Sequence, residues 1–174
     1  MVRLIIALFT HFVNRLFPYH SLIYYLYMDT PPRKKLSPDE MAYDLLTIDT
    51  LHHADEHFVH QFVVDIYTAQ TATSETKPIT IAMALVGLYL HVEHHFSGRQ
   101  VQEVHMQLAS LQPEWPAVTA PEARGSITAS MVMKQPHGEK RNHMIDLWAA
   151  AVWFAWKDSH QTIKDFVQAK LGIQ

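Results

Sequence analysis

At 174 residues, 48% hydrophobic and 18% charged, the chain can build one domain with a real core; it is neither disordered nor long enough for two full-sized domains. A net charge of -3 gives no general electrostatic reason to bind nucleic acid, and the absence of cysteine excludes disulfides, thiolate metal sites, Cys nucleophiles and iron–sulfur clusters. Any metal must be held by carboxylates and by the thirteen histidines, which cluster at 52–60 and 91–95.

Residues 1–36 form an apolar leader followed by a Pro/basic linker. Leu4 to Phe9 and Leu22 to Tyr27 are apolar runs, but His11, Asn14, Arg15, Pro18 and His20 interrupt the roughly 20 predominantly apolar residues that a spanning helix needs. No stable membrane span is expected, and no small-residue cleavage site follows the short stretch after Arg3. The two readings of this leader are a poorly constrained extension, with Met28 as an alternative start, and a membrane-surface anchor. The expected location is cytoplasmic.

Residues 37–174 read as a single helical domain. Ser37-Pro38-Asp39-Glu40 is a helix start, with Ser as N-cap, Pro at the first helical position and Glu three after the cap. Residues 51–70 read as one helix, with Phe58, Phe62 and Ile66 on its apolar arc and His53, His57 and His60 on the opposite one. Pro78 opens an apolar segment to about Phe96, where Ser97-Gly98 stops it; Ser97 can cap the next helix, from Arg99 to about Leu111. A long loop with Pro113, Pro116 and Pro121 follows, then a short helix capped by Thr128, then a helical segment from Gly138 toward Leu171. No alternating strand pattern or internal repeat persists, so the expected fold is all-α, a compact bundle of about five helices with one long Pro-containing loop.

Three ionisable residues fall on apolar faces. The segment after Pro78 is apolar almost all round, which marks a central helix, and its narrow small-residue face (Thr80, Ala84, Gly87, His91, His94) lets a neighbour approach closely. Glu93 projects between Val86, Tyr89 and Leu90; His105 shares a face with Val101 and Leu108; His160 shares a stripe with Trp153, Trp156, Ile163 and Val167. A buried polar group must be paired, ligate a metal or serve chemistry, because leaving it unsatisfied costs about 1–3 kcal/mol. Asp65 sits at an apolar edge, in line with Gln61 and Thr68, while His60 lies about 140° round the helix from it. Phosphate-binding Gly-rich loops, a Gly-x-Ser-x-Gly elbow, a His-Glu-x-x-His helix and aromatic-interleaved basic patches are all missing.

The stretch from His60 to Gln70, then Val86 to Glu93, then Val104 to Leu108, and finally Trp148 to Val152 and Trp153 with His160 resemble a bacterial family of unknown function, domain of unknown function 5946, over roughly residues 40–170. The family pattern matches at His60, Asp65, Tyr67, Gln70, Glu93, His105, Trp153 and His160. Many relatives carry an N-terminal cysteine pair like a zinc knuckle, which this chain lacks. The resemblance implies no activity, and it adds His60 and Asp65 to the trio that periodicity selects. A looser fold-level similarity is to the DinB-type helical metal-binding proteins.

Two expectations follow. One is a divalent metal site, Zn²⁺ or Fe²⁺, built from His60, His105 and His160 with Glu93 or Asp65 as carboxylate ligand or close partner. Such a site would activate water for hydrolysis of an unidentified small-molecule substrate, with Asp65, Glu93 or Tyr67 moving protons. The other is a metal-free interaction or scaffold module in which the same groups form a buried hydrogen-bonded network. Four tryptophans in an apolar chain are compatible with a homo-oligomer.

Overall fold

The computed structural model describes residues 35–52 and 57–173. The apolar runs at 4–9 and 22–27, the alternative start at Met28, and His53 lie outside the described residues. Seven α-helices occur among the described residues: α1 (Pro38–His52), α2 (His60–Thr71), α3 (Pro78–His94), α4 (Gly98–Leu111), α5 (Ala129–Met133), α6 (Glu139–Ala155) and α7 (His160–Leu171), with a 3-10 turn at Lys157–Ser159 between the last two. The all-α class stands, and no strand occurs among the described residues. The number of helices exceeds the expected five because α5 is a separate short piece and the final segment is broken. None of the described helices is long and apolar enough to cross a membrane.

Helix ends follow local chemistry. Ser37 Oγ accepts the Glu40 amide at 3.2 Å while Glu40 Oε2 accepts the Ser37 amide at 2.6 Å, the reciprocal pair that opens α1. Ser97 and Gln100 form the same pair at the start of α4. Helix α3 ends earlier than Ser97-Gly98 suggests, because His95 adopts the left-handed conformation (φ 57°) and its amide caps the His91 carbonyl. Thr128 does not cap α5 with its side chain; Asp39 Oδ1, reaching over from α1, accepts the Ser130 amide at 2.9 Å instead. The expected continuous helix through 51–70 is corrected: α1 ends at His52 and α2 starts at His60, so His57 precedes α2 and shares no helix face with His60. The final segment turns at Trp156, and the 3-10 turn redirects α7.

Helix α3 is the axle of the domain. It packs against α2, α4, α6 and α7, and nine of its residues from Ile81 to Leu90 are buried. Its small-residue face receives α2: a Cβ added at Gly87 would lie 2.0 Å from Asp65 Oδ2, so glycine is what admits a carboxyl there. Trp148 and Trp156 are fully buried, and aromatic side chains of that size dominate core burial, at about 150–250 Å² each. The indole of Trp148 donates to Gln70 Oε1 at 2.9 Å, while the Gln70 amide nitrogen donates to the carbonyls of Arg124 (3.1 Å) and Ile127 (2.8 Å). One side chain of α2 thereby ties the long Pro-containing loop to the core.

Candidate functional site

The residues singled out in the sequence fall into three groups rather than one. The first lies between α2, α3 and α4. Gln61 and Asp65 are four apart, on one line of α2, and Gln61 Nε2 donates to Asp65 Oδ1 at 3.1 Å. The same amide nitrogen lies 3.4 Å from His105 Nδ1, near the limit of a hydrogen bond. An amide NH₂ has two hydrogens, so Gln61 serves the carboxyl and the imidazole together. Asp65 Oδ2 and His105 Nε2 are buried without a hydrogen-bond partner.

Both titratable members of this group are driven toward their neutral forms. Burial pushes the Asp65 carboxyl well above the usual carboxylate range, against the opposing hydrogen bond from Gln61. Burial also pulls the His105 imidazole down to about 4, with the nearby Met83 backbone acting in the other direction. Met83 and Gly87 are one turn apart on α3, so a single face of the central helix backs both groups.

His60, at the first position of α2, is not part of this pair. Its Nδ1 lies 3.0 Å from Thr50 Oγ1 on α1, and the Thr50 hydroxyl also bonds the Leu46 carbonyl at 2.9 Å. With the hydroxyl proton given to Leu46, His60 Nδ1–H is the donor. Burial lowers the His60 pKa below its ordinary value, opposed by the Thr47 backbone. Tyr67, the proton-moving candidate, stacks on Tyr43 at 3.7 Å between ring centroids, and burial raises its pKa.

The third group sits at the C-terminal end of α3. Glu93 is six residues beyond Gly87, about 9 Å along the axis and roughly 120° round it, so it faces elsewhere. Trp153 Nε1 of α6 donates to Glu93 Oε1 at 3.0 Å, and Lys164 of α7 pairs with Oε2 at 2.6 Å. About a third of the Glu93 side chain is exposed (31%), so the inward reading from periodicity is corrected: it lies at the rim, bridging helices. Burial alone would raise its pKa, but the Lys164 and Trp153 hydrogen bonds outweigh that and hold it below the usual value. His160 stacks flat on Trp153 (3.8 Å, 8°), and its Nε2 donates to the Trp153 carbonyl at 2.9 Å across the α6–α7 turn.

Among the described residues no group of three or more His, Asp or Glu side chains is placed to hold a metal ion. Asp65 and His105 come together through Gln61; Glu93 and His160 come together through Trp153; His60 belongs to neither set. Gln61 was visible in the sequence as the residue in line with Asp65, and Gly87 as part of a face permitting close approach. Lys164 gave only a four-residue spacing from His160.

A family model matches residues 39–157, that of a family of unknown function, DUF5946. The chain belongs to that family. The match runs from the start of α1 to the 3-10 turn and so contains the first two groups whole, with Glu93 and Trp153 of the third. His160 and Lys164 lie beyond it. No curated protein and no solved structure matches.

Proposed function

We propose that this member of DUF5946 is a metal-free helical interaction module whose titratable core residues fix the packing of its helices. The observation that carries this reading is the prior engagement of the candidate side chains: His60 with Thr50, Asp65 and His105 with Gln61, Glu93 with Trp153 and Lys164, and His160 with the Trp153 carbonyl. Each bond joins two helices, or two points of one helix or turn, as expected of groups that specify a unique packing. The partner is a second copy of the chain, with nucleic acid playing no part and the cytoplasm as location. Met41, Leu45, Ile48 and Leu51 support self-association, being 49–64% exposed along one stripe of α1. Untagged protein should melt at the same temperature with and without a chelator, and His105→Ala should lower that temperature equally in both. Sedimentation should show a dimer that Ile48→Glu dissociates. A melting temperature that falls on chelation and recovers with zinc, or a parent protein monomeric at every concentration, would overturn the respective half.

A second reading has one observation in its favour: of the four buried side-chain atoms without hydrogen-bond partners among the described residues, two are Asp65 Oδ2 and His105 Nε2. With Asp65 ionised and the His105 proton moved to Nδ1, they would be a carboxylate oxygen and an imidazole nitrogen, the donor types that Zn²⁺ or Fe²⁺ takes. Asp65 and His105 would hold such an ion; His60 would join after giving up Thr50, whereas Glu93, near the end of α3, and His160, at the start of α7, belong to the group around Trp153. A bound divalent ion would supply Lewis acidity and a water of lowered pKa, the basis for hydrolysis of a small-molecule substrate. Elemental analysis of untagged protein after reconstitution decides it: one zinc or iron per chain, lost in Asp65→Asn and His105→Ala alike, is the expected result, and substoichiometric metal in the parent would end the reading.

A further inference from the structure

A groove is formed where residues 57–62, the C-terminal end of α3, the start of α4 and the middle of α6 meet. Its volume of about 540 Å³ falls within the roughly 300–1,000 Å³ of small-molecule sites. Phe62, Val92, Phe96 and Ala150 give it apolar walls. His91, in its lining, is fixed from three sides: its ring stacks on Phe62 with centroids 3.6 Å apart, Nδ1 lies 3.3 Å from the Phe96 carbonyl, and Nε2 lies 3.1 Å from Asp146 Oδ1.

His91 therefore has no ring nitrogen to spare for a ligand, and its effect is to orient Asp146. That carboxylate, on a side chain 57% exposed, lines the groove, and only its Oδ1 is taken up by His91. No Lys or Arg is among the described lining residues; the other ionisable groups there are His57 and His95. Ser97 and Gln100, which also line it, are occupied with each other's backbone at the start of α4.

The wall beside His57 is held in place. Phe58 adopts φ 51°, an uncommon conformation for a bulky residue, and the Gly98 amide donates to the His57 carbonyl at 2.7 Å. A Cβ on Gly98 would meet the Phe58 carbonyl oxygen at 2.0 Å. Outlying backbone of this kind, locked by a close glycine contact, tends to occur at binding sites.

We propose that this groove binds a small organic amine, its ammonium paired with the Asp146 carboxylate and its apolar body laid against Phe62, Val92 and Phe96. Charge complementarity selects this class: the described lining residues include one carboxylate, no Lys or Arg, and the aromatic side chains of Phe62 and Phe96, and aromatic rings attract a positive group. An anionic ligand would meet Asp146 unfavourably, and a purely apolar one would make no use of its second carboxylate oxygen.

Benzylamine is a suitable probe, with benzyl alcohol and benzoate as shape-matched controls, titrated into isotopically labelled full-length protein and followed by amide shifts. Benzylamine should move the amides of Val92, Asp146 and Ala150 saturably, bind at least tenfold more tightly than benzyl alcohol, and leave benzoate behind both. Asp146→Asn, an exposed and shape-conserving change, should bring benzylamine down to the benzyl alcohol affinity while the rest of the spectrum overlays. Ala150→Trp, which fills the groove without altering its charge, should remove binding of both. No saturable shift at millimolar benzylamine, shifts located elsewhere, benzoate binding as well as benzylamine, or an unchanged affinity in Asp146→Asn would each overturn the proposal.

Discussion

Asp65 packs against the central helix from α2 and Glu93 is part of that helix, yet the protein drives the two carboxyl groups in opposite directions. Asp65 is buried among a glycine, an amide and a neutral imidazole, so desolvation wins and the acid form is favoured. Glu93 lies at the rim, where an indole N–H and an ammonium donate to it, and the ionised form is favoured. The difference does not lie in the carboxyl chemistry the two share. It lies in whether the neighbours supply donors enough to replace the water that packing removes.

The contrast can be broken at its tightest point. Gly87→Ala places a methyl 2.0 Å from Asp65 Oδ2, and with both partners enclosed neither can move far. A loss of about 3 kcal/mol or more is expected in thermal or urea unfolding, of the size seen when cores are overfilled. Adding Asp65→Ala removes the clashing carboxyl, so the double variant should be more stable than Gly87→Ala alone; strictly additive losses would show that the contact is not the cause.

The next largest effect is a pH dependence. His105 binds its proton at about 4 in the fold against an ordinary 6.5, so the unfolded chain binds more protons between those values. Stability contributed by neutral His105 is then full above 6.5 and is lost as the pH falls toward 4, by an amount on the order of 3 kcal/mol. His105→Asn should flatten the fall in melting temperature over that window. An undiminished slope would remove His105 from the account.

The two carboxylates should then differ in sign. Asp65 has a raised pKa, so the folded state holds its proton longer and stability declines as pH rises above the ordinary carboxylate range. Glu93 has a lowered pKa, so its contribution is present above the ordinary value of 4.5 and disappears as pH falls through it. Melting curves of Asp65→Asn should therefore gain on the parent at pH 8 relative to pH 5. Those of Glu93→Gln should lose on it at pH 7, by less than about 1 kcal/mol because solvent screens the pair. Equal behaviour of the two variants would erase the comparison. Smallest of all, Lys164→Met should cost a few tenths of a kcal/mol and do so less at high salt.

Much of this was legible in the sequence. The all-round apolar pattern after Pro78 identified the axle, Ser37 and Ser97 announced their helix starts, and the face holding Gly87 marked where a neighbour comes close. Asp65 and Gln61 shared a line because helical spacing is local information. What stayed hidden was long-range. Nothing near Glu93 says that Trp153 and Lys164 will reach it, and nothing near Thr128 says that Asp39 will cap it. The late start of α2 at His60 has no local signature because an amphipathic count runs on through His57, Phe58 and Val59, which precede the helix. The pairing of His91 with Asp146 joins residues fifty-five positions apart and has no local signature.

The single amide of Gln70 also has a kinetic consequence. Its partners, the carbonyls of Arg124 and Ile127 and the indole of Trp148, lie 54, 57 and 78 positions along the chain. Contacts of such separation repay their closure entropy only after the intervening helices are assembled, so the Pro-containing loop docks late. A change at Gln70 will then be felt by the rate at which the protein opens, while the rate at which it first assembles stays nearly untouched.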